Sequence, residues 1–122
     1  MTTPNVDFGA LPEIKSYAAA SEGGNVNLTG EGSFYLALPE GVSTITVSAA
    51  QSSLVVHLAT TGSASARYVS RTTSAGQTLV LSNVAVPRGE TRYLHIRANG
   101  ACDVGVTVIT WPLAERLRGG VR

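Results

Sequence analysis

Turn-forming residues recur along this chain at intervals of about 8–12 residues, and this spacing limits the possible folds more than any other feature. The clearest breaks are Pro39-Glu40-Gly41, Thr61-Gly62-Ser63, Pro87-Arg88-Gly89 and Asn99-Gly100. The runs between them are short and rich in Val, Ile, Leu and Thr, which favour strands. Because no helical pattern of about 10–15 residues separates these runs, βαβ units are not expected.

The pattern predicts an all-β fold, a single antiparallel β-sandwich of about eight strands that is jelly-roll-like. We place the strands near residues 25–29, 32–38, 42–49, 53–60, 66–72, 77–85, 90–98 and 102–110. Residues 13–20 fit a strand or a short helix equally well. The expected organisation is therefore an extended N-terminal arm and lead-in over 1–24, the sandwich over 25–111 and a short C-terminal tail over 112–122.

Alternation of apolar and polar residues predicts which side of each strand is buried. Residues expected to face the core are Ile45, Val47, Ala49, Leu54, Val56, Leu58, Leu94, Ile96, Ala98, Cys102, Val104, Val106 and Val108. His57 points the opposite way from its neighbours, and Tyr93, His95 and Arg97 alternate with the apolar side chains of their strand. We therefore expect these four side chains on the outside of the sheet, and Cys102 as a buried, inert thiol.

The connection between the last two strands contains Asn99-Gly100, which is typical of a two-residue hairpin turn. In that register Ile96 lies opposite Asp103, whereas a loop one residue longer places Ile96 opposite Val104. A slip of one residue moves every side chain to the other face, so burial decides the register. We therefore predict a hairpin with a three-residue loop or a bulge at residues 99–101.

Composition excludes several partners. Charged residues make up 14% of the chain, against about 25% in typical domains, and such a surface is poorly protected against association. The net charge of +1 lacks the basic excess of a nucleic-acid-binding protein. No apolar run reaches the roughly 20 residues of a membrane span. The first residues also lack the features of a signal peptide, so we expect synthesis in the cytoplasm.

No residue set with the pattern of a catalytic or metal site is evident. His57 and His95 lie in separate predicted strands, and neither has an acidic residue at a ligand spacing. The eight acidic residues fall mostly in predicted turns or near the termini, where solvation explains them. We therefore expect neither an enzyme nor a cofactor or metal ion.

Tyr93, His95 and Arg97 form the best candidate for a ligand-facing patch, because strand alternation turns all three outward. Ordinary cross-strand packing on a half-exposed sheet is the alternative interpretation. Arg116 and Arg118, in the basic tail, are further candidates for binding.

The strand pattern of residues 31–110, together with the proline-containing arm, resembles the small jelly-roll proteins that decorate or cement the capsids of tailed phages. The resemblance implies a structural, self-assembling virion protein that binds and stabilises a capsid lattice. Its partners would be other copies of itself and a major capsid or other virion protein, and its location would be the virion. Terminal extensions agree with this, since arms that reach onto neighbouring subunits are a low-cost route to oligomers.

Residues 32–41 and 91–98 also resemble secreted sandwich modules that accompany peptidases and bind sugars. The alternative function is therefore a non-catalytic carbohydrate-binding module, with a glycan as partner. An exposed, coplanar aromatic pair near Tyr93 would favour this alternative, and a buried Tyr93 would count against it.

Overall fold

The alternating sequence forms nine strands in the computed structural model, which describes residues 11–30 and 33–112. The strands are β1 (Glu13–Ser21), β2 (Gly24–Asn25), β3 (Tyr35–Ala37), β4 (Gly41–Ala49), β5 (Leu54–Ala59), β6 (Arg67–Thr73), β7 (Thr78–Val86), β8 (Tyr93–Ala98) and β9 (Cys102–Trp111). One turn of 3-10 helix, Ala64–Ala66, precedes β6. No helix in these residues is long and apolar enough to cross a membrane.

Two antiparallel sheets face each other. Sheet A has the order β1-β9-β4-β7, and sheet B has the order β2-β8-β5-β6, with β3 also paired to β8. If β2 and β3 are counted as one position, each sheet has four positions, and the chain passes between the sheets in the order of a jelly roll. The predicted all-β, jelly-roll-like sandwich is therefore confirmed.

The core lies between the inner faces of the two sheets. Sheet A contributes Ile45 and Val47, and sheet B contributes Leu54, Leu94 and Ile96, all of them 0% exposed. All thirteen side chains that alternation assigned to the core are buried. Burial on this scale contributes about 1.5–3 kcal/mol for each large apolar side chain, which makes it the main stabilising term.

The structure resolves the ambiguity at residues 13–20 in favour of a strand. β1 pairs with β9 along its whole length, from Glu13 opposite Thr110 to Ser21 opposite Cys102. The sandwich therefore begins at Glu13, within the segment expected to be arm and lead-in, and not at residue 25. Residues 1–10 of the expected arm and 113–122 of the expected tail lie outside the described residues.

The predicted hairpin between the last two strands was wrong, although their connection does consist of residues 99–101. β8 lies in sheet B and β9 in sheet A, so Ile96 pairs with Val56 and Val104 pairs with Ala49 and Ala19. Both strands bury their apolar side chains because the strands lie in facing sheets, which removes the conflict that the longer loop was meant to solve. The backbone N–H of Asn99 donates to the Ser53 carbonyl at 3.0 Å, a typical length for such a bond.

Gly41 begins β4 in a backbone conformation that side chains rarely adopt, with φ +126°. It is buried, and a Cβ atom at this position would overlap the carbonyl oxygen of Trp111. The sheet therefore requires glycine here both for its dihedral angle and for the close approach of β9.

We expect Gly41→Ala to lower the free energy of unfolding by at least about 2 kcal/mol, because strain and overlap add. Gly76→Ala is the matched control, since Gly76 also has a positive φ of +79° but open space around the added Cβ. That variant should lose only about 1 kcal/mol. Urea unfolding curves give both values, and equal losses in the two variants would contradict the requirement for close approach at Gly41.

Candidate functional site

The outer face of sheet B carries a row of polar and aromatic side chains across its strands. Strand register places Tyr35 opposite His95, His95 opposite His57, and His57 opposite Ser70. Their sequence neighbours Leu36, Leu58, Leu94 and Ile96 are buried in the core. Because side chains alternate along a strand, all four members of the row point to the outer face. We call Tyr35, His95, His57, Ser70, Asn25 and Arg67 the ring cluster.

Three rings of the ring cluster stack on one another. The centroids of Tyr35 and His95 lie 4.7 Å apart with 20° between the ring planes. His57, on the neighbouring strand β5, also stacks on His95, with the ring centroids 5.3 Å apart and 22° between the ring planes. His95 is therefore the central ring, and it is only 1% exposed although it lies on the outer face.

Hydrogen bonds occupy both nitrogens of the central imidazole. Nη2 of Arg67 donates to Nδ1 of His95 at 3.1 Å, which requires that Nδ1 carry no proton. Nε2 of His95 then carries the proton and donates to Oδ1 of Asn25 at 2.8 Å. Arg67 also donates from Nη2 to the Tyr35 hydroxyl at 2.9 Å. The cluster is thus a closed network in which His95 is neutral and has no free lone pair for a metal ion or a proton.

Electrostatics agree with this geometry. Burial, together with the smaller effect of the neighbouring positive charge of Arg67, lowers the pKa of His95 to about 4. Burial and Arg67 also lower the pKa of His57, whose Nδ1 is hydrogen-bonded to the Ser70 hydroxyl at 2.9 Å. Both imidazoles are therefore neutral at pH 7, and the single positive charge in the network is that of Arg67.

The predicted ligand-facing patch is not an open surface. Tyr93 is half-buried, Arg97 is exposed, and His95 is covered by the other side chains of the ring cluster. None of the stacked ring pairs in the described residues includes Tyr93, so the coplanar aromatic pair that would favour sugar binding there is not formed. Arg116 and Arg118 lie outside the described residues.

Sequence reasoning missed four members of the ring cluster, namely Tyr35, Asn25, Arg67 and Ser70, which pairs with His57. Tyr35 carried a partial signal, because it follows Phe34 directly and one of two adjacent rings must point away from the core. Asn25 and Arg67 carried none, since they reach His95 only through strand pairing between distant segments. The structure thus brings His57 and His95 together, but without the acidic or cysteine ligands of a metal site. Within residues 11–30 and 33–112, no three His, Cys, Asp or Glu side chains are grouped to hold a metal ion.

The outer face of sheet A is chemically very different. Its outward-facing residues, by register, are Ile14, Ser16, Ala18, Ala20, Val42, Thr44, Thr46, Ser48, Thr78, Val80, Ala85, Asp103, Gly105, Thr107, Ile109 and Trp111. Asp103, at one end of this set, is its single charged member, and its carboxylate accepts a hydrogen bond from Gln51 at 3.0 Å. Because all its other members are uncharged, we call this set the uncharged face.

Large apolar side chains gather at the other end of the uncharged face. Trp111 lies opposite Val42, and Ile14 lies opposite Ile109 in the adjacent row. Trp111 is 50% exposed and Ile14 is 61% exposed. A contiguous exposed apolar patch of this kind is typical of a surface that binds another macromolecule.

We expect the stability of the fold to fall as the pH is lowered from 6.5 towards 4, because of His95. The unfolded chain, with an ordinary histidine pKa near 6.5, takes up a proton that the folded state accepts only near pH 4. The linked loss of unfolding free energy is on the order of 3 kcal/mol once the pH is below both values. Urea unfolding between pH 6.5 and 5, above the main range of carboxylate titration, measures this slope.

His95→Gln is the comparison for that experiment. This variant should be less stable at pH 7, because it breaks the ring cluster, but its stability should depend less steeply on pH. An unchanged slope in His95→Gln would show that other groups cause the pH dependence.

Comparisons with known proteins add little to this description. No protein-family model matches the chain, and no curated protein matches it. Among solved structures, the chain is similar to the crystal structure of protein NMB1881 from Neisseria meningitidis, with 13% sequence identity and a TM-score of 0.41. The match covers 89% of this chain and 100% of that chain. Similarity at this level carries no conclusion about what this protein does.

Proposed function

We propose that this chain is a structural, self-assembling protein that docks through the uncharged face of sheet A. The observation that carries the proposal is a four-stranded face whose outward side chains include one carboxylate and no lysine or arginine. A surface of this kind is depleted in the charges that keep monomers apart, and charge depletion is typical of the centre of protein interfaces. The first occupant to expect is a second copy of the chain.

The edge of sheet A supports the same proposal. β1 is nine residues long and pairs with β9 along one side. Within the described residues no strand pairs with its other side, so its outward backbone groups can accept a further strand. Residues 16–21 of this strand carry no charged side chain that would oppose such pairing. The charged side chains of β1, those of Glu13 and Lys15, both lie within its first three residues.

The more specific form of the proposal is a virion component that decorates and stabilises a capsid lattice. The jelly-roll order supports this form because it is common in viral capsid proteins, although it also occurs in lectin domains and cupins. The resemblance to small decoration proteins of tailed phages adds to that support. Since a fold does not determine a function, the uncharged face remains the physical basis of the proposal. The partners would be other copies of the chain and a major capsid protein.

We expect Thr107→Lys to prevent association, because Thr107 lies on a central strand of the uncharged face and the buried charge would lack a partner. Thr72→Lys is the matched control, since Thr72 is exposed on β6, on the outer face of sheet B. Light scattering after size-exclusion chromatography gives the mass of each variant. The wild type and Thr72→Lys should form oligomers, and Thr107→Lys should be a monomer.

Deletion of residues 1–10 separates two routes of assembly. If the sheet face alone drives association, the truncated chain should form an oligomer with the same number of subunits as the full chain. If the truncated chain is a monomer, residues 1–10 make the contact between subunits and the sheet face does not. If the full chain is itself a monomer at high concentration, self-assembly is contradicted. The virion form predicts in addition that Thr107→Lys does not co-sediment with capsid particles that retain the wild type.

A further inference from the structure

A cleft of about 460 Å³ lies at the open side of the sandwich, between β6 and β7. These two are edge strands of opposite sheets, and their separation leaves the space between them accessible. Buried Leu58, Leu81 and Val84 contribute apolar lining, while Tyr68 is 49% exposed. A volume of this size is in the range of small-molecule sites, roughly 300–1,000 Å³.

Both strands beside the cleft are irregular there. In β6, Tyr68 is an extra residue between the pairs Leu58–Val69 and Ala59–Arg67. In β7, Ser82 and Asn83 together lie opposite a single residue of β4, and Asn83 has φ +57°. Bulges redirect side chains and are frequent next to functional sites. Here the residues at the two bulges, Tyr68 and Ser82–Asn83, line the same cleft.

The charges that line the cleft are all positive. Arg71 and Arg92 contribute to the lining, which includes no carboxylate. Arg92 is held by Glu90 at 2.9 Å, and its guanidinium lies 5.9 Å from the centre of the Tyr68 ring. Arg71 donates from Nη1 to the Ser70 carbonyl at 3.0 Å and forms no ion pair with any residue in 11–30 or 33–112. Its remaining donors are available to an anion.

We propose that this cleft binds a glycan that contains a carboxylated sugar, such as a uronic acid. The Arg71 guanidinium would pair with the sugar carboxylate, because its planar donors match the two carboxylate oxygens. The exposed Tyr68 ring would pack against the C–H face of the pyranose, and Ser82 and Asn83 would hydrogen-bond its hydroxyl groups. A combination of one flat ring, two hydroxyl-matching side chains and one unpaired cation suits an acidic sugar better than a neutral one.

This inference does not depend on the proposed assembly, since Tyr68 and Arg71 do not belong to the uncharged face. The cleft and the face share only Val80 and Ala85 among the described residues. It also differs from the patch expected at Tyr93, His95 and Arg97, which lies on the outer face of sheet B. A protein that assembles through one face would present many copies of this cleft, and multiple weak sites on one particle bind a polymer with high avidity.

The test is a titration of the ¹⁵N-labelled full chain with trigalacturonate, followed by NMR amide shifts. We expect saturable shifts at Tyr68, Arg71, Asn83 and Arg92, with a dissociation constant on the order of 1 mM. The neutral trisaccharide of galactose should bind at least about tenfold more weakly, because it lacks the charge-assisted hydrogen bond. Arg71→Gln should cause a similar loss for trigalacturonate and little change for the neutral sugar.

Arg97→Gln is the matched control, because it removes one exposed positive charge that does not line the cleft. Its affinity for trigalacturonate should equal that of the wild type, whereas an equal loss in both variants would indicate non-specific attraction and overturn the proposal. Absence of saturable shifts in the cleft would overturn it as well. Tighter binding of triglutamate than of trigalacturonate would assign the cleft to acidic peptides, and tighter binding of galactose 6-phosphate would assign it to phosphate.

Discussion

The structure depends on the packing of two apolar sheet faces against each other, and the crossing from β8 to β9 determines how they meet. Both strands are central in their own sheets, with β9 paired to β1 and β4 and β8 paired to β5, β2 and β3. A connection of only three residues joins them across the sandwich. Side chains of both strands therefore enter one common core, where Leu94, Ile96, Val104 and Val106 are all buried. Every other strand takes its place by pairing outward from these two.

The two outer faces of the sandwich differ in the number of polar and charged side chains they carry and in how those side chains are hydrogen-bonded. On sheet B, Arg67 and Asn25 satisfy both nitrogens of His95, and stacking with Tyr35 and His57 covers the ring. Such a network is complete and offers little to a partner. On sheet A, threonine, serine and alanine leave a surface with few hydrogen-bonding demands and almost no charge. This contrast is the physical reason for proposing that assembly occurs through sheet A.

The two proposals rest on different residues and different interactions, although Val80 and Ala85 belong both to the uncharged face and to the lining of the cleft. Association through sheet A rests on apolar contact and on the absence of repulsion, and a single lysine at Thr107 opposes both. The proposed ligand binding at the β6–β7 edge rests on the unpaired guanidinium of Arg71 and on the exposed ring of Tyr68, which lies at the bulge in β6. An assembly that displays its open edges outward would combine the two, as a particle surface that holds a polymer of acidic sugars.

Local pattern in the sequence determined the strands and their buried sides, since alternation with a period of two and regularly spaced turns act within about ten residues. It also placed His95 on an outer face. Long-range pairing decided the rest: β1 is a strand of sheet A because it pairs with the edge of β9. The Asn99-Gly100 connection crosses from one sheet to the other because β8 and β9 bury their apolar side chains in the core between the sheets. Asn25 and Arg67 reach His95 from segments 70 and 28 residues away. Contacts between such distant residues exist only after folding, so the tertiary structure alone decided which polar groups are satisfied and which surfaces remain open.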